Sequence, residues 1–115
     1  MSATGKVYFI GAGPGDIELL TLKGKRLIES ADVIIYADSL VNPAIAGMAR
    51  QGAAIHPSSG LTLEEMVDIM VEAATQGKTV ARLHTGDPSL FSAVHEQRTL
   101  LEKRGIEYEI VPGVS

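Results

Sequence analysis

The feature that most limits the fold of this chain is an alternation. Five short apolar runs rich in β-branched residues, Val7–Ile10, Val33–Tyr36, Ala53–His56, Thr79–Leu83 and Tyr108–Val111, are separated by turn signals or by segments with apolar residues at helical spacing. The helical segments are 19–30, 63–74 and 90–101. Antiparallel strands can be joined by a two-residue turn, whereas parallel neighbours need a crossover of about a dozen residues or more, usually a helix. Near-continuous apolar strands alternating with helices therefore imply an α/β domain with a parallel sheet covered on both faces. Punctuation agrees with this. Thr62-Leu-Glu-Glu65 reads as a capping box, and Gly77 and Gly105 stand where C-terminal helix caps belong. On the first helix, Leu19, Leu22, Leu27 and Ile28 are expected to face the core.

A chain of 115 residues is enough for one core, and residues 1–115 are read as one domain. No apolar stretch approaches the ~20 residues of a membrane span, and the N-terminus carries no signal-peptide pattern. With no cysteine there is neither a disulfide frame nor a thiolate metal site, which fits a cytoplasmic protein. A net charge of −4 and sparse aromatic residues argue against nucleic acid, which needs a basic stripe or a stacking platform. The chain stops at Val111-Pro-Gly-Val-Ser115, straight after a strand-like run, so a natural continuation is expected beyond it.

In a parallel sheet, ligands lie at the carboxyl ends of the strands. Four loops there are chemically unusual: Gly11-Ala-Gly-Pro-Gly-Asp16, Ala37-Asp-Ser-Leu-Val-Asn-Pro43, His84-Thr-Gly-Asp-Pro88 and Pro112-Gly-Val-Ser115. The first begins like a dinucleotide fingerprint but has Asp16 where a third glycine belongs, and a carboxylate there competes with a pyrophosphate. It also lacks the Lys-Ser or Lys-Thr of a Walker cradle. The glycines instead suit a close backbone approach to a ligand that is not a phosphate, with a purely structural tight turn as the alternative.

Those four loops, taken in order, resemble the tetrapyrrole methylases, which move a methyl group from S-adenosylmethionine to a carbon of a porphyrinoid. The resemblance rests on Val7-Tyr-Phe-Ile-Gly-Ala-Gly-Pro-Gly-Asp16 with Leu20-Thr-Leu-Lys-Gly24, on Gly86-Asp-Pro88 and on Val111-Pro-Gly-Val-Ser115, and covers nearly the whole chain. Tyr36-Ala-Asp-Ser-Leu-Val41 and Thr85-Gly-Asp-Pro-Ser-Leu-Phe91 with Glu96-Gln97 look most like the branch that methylates C(11) of precorrin-4 or cobalt-precorrin-4 in cobalamin biosynthesis. That branch often has Gly at the place of Asp38 and Tyr-Gly at the place of Phe91-Ser92. Uroporphyrinogen-III methylases usually place an Arg where this chain has Ala93.

The resemblance implies two α/β domains with the cofactor between them. This chain corresponds to the first, a three-layer domain with a five-stranded parallel sheet of order 3-2-4-1-5. It implies cofactor contacts at Pro14, Thr85, Gly86, Asp87 and Leu90, and no metal. Gly13, Gly15, Asp16, Asp38, Ser39 and His84 are expected on the substrate side, with Asp16 and Asp38 as the groups nearest the chemistry. Each acid also has a purely structural role open to it: Asp16 and Asp87 as helix N-caps, Asp38 as a turn former. A tetrapyrrole precursor bears many carboxylates, for which Lys23, Arg26, Arg82 and His84 are the candidate partners. Arg82, inside a strand, needs a paired acid or an exit to the cleft. His84, titrating near neutrality, is a candidate proton acceptor, with a histidine that only makes structural hydrogen bonds as the favoured alternative. A homodimer is expected, as is typical of the family. The competing reading is a stand-alone binding or assembly module that uses the same loops.

Overall fold

The computed structural model of the chain describes residues 5–12, 21–36, 47–58, 60–85 and 92–111. In chain order the elements are β1 (Lys6–Ala12), α1 (Leu22–Ser30), β2 (Val33–Tyr36), β3 (Ala54–Pro57), α2 (Leu63–Thr75), β4 (Val80–Thr85), α3 (Ser92–Lys103) and β5 (Glu107–Val111). The five strands form one sheet of order β3-β2-β4-β1-β5, with every pairing parallel. This is the order implied by the resemblance, and the strands fall within one or two residues of the apolar runs.

Strand alternation sorts the core into two layers. Val7, Phe9, Val33, Ile35 and Val80 face α2 and α3, where they meet Val67, Met70, Ala74, Val94 and Leu101. Ile10, Ile34, Ala81, Leu83 and Val111 face the other way, towards Ile28 of α1. Both faces of the sheet are therefore covered, as near-continuous apolar strands require.

The helix ends follow local chemistry. At α2 the Thr62 hydroxyl accepts from the Glu65 amide at 3.1 Å while the Glu65 carboxylate accepts from the Thr62 amide at 2.8 Å, which completes the capping box. Its C-terminus closes through Lys78 N–H on the Ala73 carbonyl and Gly77 N–H on the Ala74 carbonyl, with Gly77 at φ +80°. The same pair of bonds ends α3 at Gly105, where φ is +72°. Only glycine takes such angles without strain, so both helices stop where the sequence places them.

Two expectations for the first helix are corrected. Its N-cap is Thr21, whose hydroxyl accepts from Gly24 N–H at 3.0 Å, and not Asp16, which lies outside the described residues. Leu22 does not join the core: it is 80% exposed. The buried stripe of α1 runs through Gly24 and Ile28 with Leu27 beside it, and Leu22, six residues before Ile28, points about 120° away from that stripe. Leu19 lies outside the described residues.

Candidate functional site

The register brings strand ends together. Ala12 of β1 pairs with Thr85 of β4, Tyr36 of β2 with Leu83, and Ile10 with Val111 of β5. The four strands therefore finish at one edge of the sheet, and the four unusual loops leave from neighbouring points. Most of the expected site residues belong to those loops: Gly13, Pro14, Gly15, Asp16, Asp38, Ser39, Gly86, Asp87 and Leu90 lie outside the described residues. Thr85 is placed through its main chain, paired beside Ala12.

His84 is the expected site residue whose surroundings are described. It stands next to the end of β4, the central strand, on the face shared with Val80 and Arg82. Its ring stacks on Phe9, with centroids 6.1 Å apart and planes at 28°. Its register partner on β1 is Gly11, so that position brings no side chain against the imidazole. The Nε2 atom is buried and has no hydrogen-bond partner. Burial and then the Arg82 cation push the imidazole down to about 3, so His84 is uncharged throughout the physiological range. The expectation that it titrates near neutrality and takes a proton is therefore corrected: a base this weak takes up no second proton at pH 7, and the neutral ring offers one N–H and one lone pair.

Among the described residues Arg82 has no paired acid, and it lacks the exit to solvent that its position called for. It is only 5% exposed, and burial lowers its guanidinium to about 10, still fully charged at neutral pH. Its partners are uncharged: Nε donates to Gln97 Oε1 at 3.4 Å and one terminal nitrogen donates to the Leu83 carbonyl at 3.2 Å. Among the described residues no carboxylate forms an ion pair with it. Gln97 itself is fully buried. Sequence reasoning quoted Gln97 in the resemblance but gave it no role. A signal was present, because Gln97 falls three residues after Val94 and four before Leu101, on the buried stripe of α3. A polar residue on an apolar stripe demands a buried partner.

The other candidate cations stand elsewhere. Lys23 and Lys6 both pair with Glu109 of β5, the latter at 3.1 Å, and together they depress the Glu109 carboxyl. Arg26 lies on the exposed side of α1. Among the described residues no group of three or more acidic or histidine side chains could hold a metal ion, and no helix is long and apolar enough to cross a membrane.

Comparison with known proteins agrees with this arrangement. The family model described as tetrapyrrole (corrin/porphyrin) methylases matches residues 6–115. A cobalt-precorrin-4 C(11)-methyltransferase of Methanocaldococcus jannaschii is 56% identical over 110 residues, which are 96% of this chain and 42% of that protein. The crystal structure of a cobalamin biosynthetic enzyme, cobalt precorrin-4 methyltransferase, superposes with a TM-score of 0.90 at 48% identity, covering 96% of this chain and 46% of the other. A uroporphyrin-III C-methyl transferase from Thermus thermophilus, solved with S-adenosylhomocysteine, gives 0.78 at 36% identity over 96% of this chain and 46% of its own. The chain thus spans less than half the length of each of these proteins. With the family model matched almost from end to end and the strand order as the resemblance implied, the chain belongs to the tetrapyrrole methylases.

Proposed function

We propose that this chain is the amino-terminal domain of an S-adenosylmethionine-dependent methyltransferase acting at C(11) of precorrin-4 or cobalt-precorrin-4 in cobalamin biosynthesis. The observation that carries the proposal is the 56% identity, over 96% of the chain, to a protein of that activity. The substrate carbon is the finer part of the reading. Similarity to a uroporphyrin-III methylase keeps a sister activity at another ring carbon as the second reading.

One described feature suits such a cofactor. Gly11 and His84 are paired on adjacent strands, and the glycine contributes no side chain at the edge where the ligand is expected. S-adenosylmethionine, when bound, supplies an electrophilic methyl group on a sulfonium sulfur. Transfer to carbon is an in-line displacement, so the protein mainly holds two reacting centres in line, an effect worth ~7–11 kcal/mol. In this reading Pro14, Thr85, Gly86, Asp87 and Leu90 form the cofactor side. Gly13, Gly15, Asp16, Asp38, Ser39 and His84 form the substrate side. Asp16 and Asp38 would accept hydrogen bonds from pyrrole N–H groups and favour the positive charge that the ring gains with the methyl group, before a proton leaves it. His84, whose proton affinity is lowered by burial and Arg82, takes part in this reading as a neutral hydrogen-bonding group. The reaction in this reading requires no metal ion from the protein. A second domain, a homodimer and a cytoplasmic location belong to the same reading.

The test uses the full-length protein. Calorimetry with S-adenosylhomocysteine checks the cofactor, and mass and NMR analysis of the methylated tetrapyrrole checks the ring carbon. Asp16→Asn and Asp38→Asn are each expected to lower turnover. Unchanged turnover in both would sink the role given to the two acids, and a product methylated elsewhere than C(11) would favour the second reading.

A further inference from the structure

Arg82 combines three properties that rarely coincide. It is a cation on the central strand, it is almost completely buried, and its hydrogen-bond partners among the described residues are an amide and a carbonyl. Leaving a buried charge without a counter-charge is among the more costly arrangements a fold can hold. The remedy would have been simple. Glu has nearly the shape of Gln, and an acid at position 97 would meet the guanidinium with the same reach. The chain instead places an amide there, so among the described residues no acid offsets the charge of Arg82. Two residues further along the same face, next to the cleft edge, His84 holds a buried Nε2 without a partner. Among the described residues, the groups around this histidine are Arg82 on β4, Phe9 on β1 and, across Arg82, Gln97 on α3; none is an acid.

Resting on the methylase reading, we propose that Arg82, Gln97 and His84 form a carboxylate-selecting corner of the cleft. His84 makes the hydrogen bond to a carboxylate of the bound ligand. Arg82, behind it, supplies a charge that no described acid offsets and that selects for that carboxylate, and Gln97 positions Arg82 without cancelling it. Arg82 is thus a positioning residue that acts through His84. Two ligands of this reaction carry carboxylates: the amino-acid tail of the cofactor and the side chains of the tetrapyrrole. The corner has the chemistry to take either, and at several ångströms from an anion an unpaired cation in a low-dielectric surrounding is worth roughly tenfold or more in affinity.

The decisive variant is Gln97→Glu in the full-length protein, because it keeps side-chain size and neutralises Arg82 without opening a cavity. Calorimetry would compare S-adenosylhomocysteine, 5′-methylthioadenosine, which lacks the amino-acid carboxylate, and uroporphyrin III, an octacarboxylate. If the cofactor tail is the source, S-adenosylhomocysteine weakens by about tenfold in the variant while methylthioadenosine is unchanged. If the tetrapyrrole is the source, uroporphyrin weakens by about the same factor and both nucleosides are unchanged. In ligand-free protein, NMR of labelled histidines should show the His84 midpoint moving upward by about one pH unit in Gln97→Glu and staying near its parent value in Arg82→Lys, which keeps the cation. Equal affinity of parent and variant for all three probes overturns the proposal, as does an equal loss for all three or an unmoved His84 midpoint. A parent protein that binds none of the probes overturns the methylase reading and this proposal with it.

Discussion

The uncharged state of His84 has a consequence for stability that can be worked through from the structure. Folding lowers this group from 6.5 to about 3. A folded-state value below the unfolded one means that acid favours the unfolded chain, which binds the proton first. The stabilisation is complete above the unfolded value and is lost as pH falls towards the folded one. Each pH unit inside that window costs about 1.36 kcal/mol. Between pH 7 and pH 5 the loss comes to about 2 kcal/mol, since the unfolded imidazole is nearly fully protonated at pH 5 and the folded one is not. This figure hardly changes if the folded value lies a unit higher, because pH 5 is still above it. The variant His84→Gln keeps a polar side chain of similar reach and removes the titration. Urea unfolding of both proteins at pH 7 and pH 5, with matching slopes, gives the four free energies needed. The parent should lose about 2 kcal/mol more than the variant over this interval. Equal losses would refute the argument that burial and Arg82 hold His84 neutral.

Two further predictions concern the scaffold. A Cβ on Gly5 would overlap the Lys78 carbonyl, and the Gly5 amide is already bonded to the Ala74 carbonyl at 2.7 Å. Gly5→Ala should therefore destabilise by ~3 kcal/mol, measured by denaturant midpoint, and a loss below ~0.5 kcal/mol would contradict the packing at this junction of β1 and the α2–β4 turn. Asp32 accepts from the Thr79 amide at 2.9 Å and from Arg50 at 2.5 Å, and these bonds, the Thr79 amide foremost, hold its carboxyl below 3.8. Its contribution is present above that value and lost as pH falls through the lower folded one, so Asp32→Asn should flatten the acid limb of the stability curve below pH 4. An acid limb identical to the parent's would count against the Thr79 anchor.

Much of the fold was legible because its signals are local. Strand positions follow from β-branched runs, helix ends from Thr62 with Glu65 and from Gly77 and Gly105, and each of these acts over four or five residues. Leu22 shows where local reading stops: an apolar residue beside a helical stripe has the composition of a core position, and only the orientation of α1 against the sheet shows that it faces water. The candidate site was legible in a different way. Its loops drew attention through glycine, proline and acids at strand ends, and the resemblance supplied their grouping.

The sequence by itself determined the class of fold, the positions of its strands, the caps at Thr62, Gly77 and Gly105 and, through ordered motifs, the family. Those properties depend on spacing along the chain, which the sequence states directly. What only the tertiary structure decided was the electrostatics of β4. Arg82 and Gln97 are fifteen residues apart, and Phe9 and His84 come from opposite ends of the chain's first three-quarters. Nothing in the spacing says that the guanidinium meets an amide in place of an acid, or that the imidazole is stacked with its Nε2 buried. Charge state depends on burial and on the sign of the nearest groups, and both are set when distant segments pack.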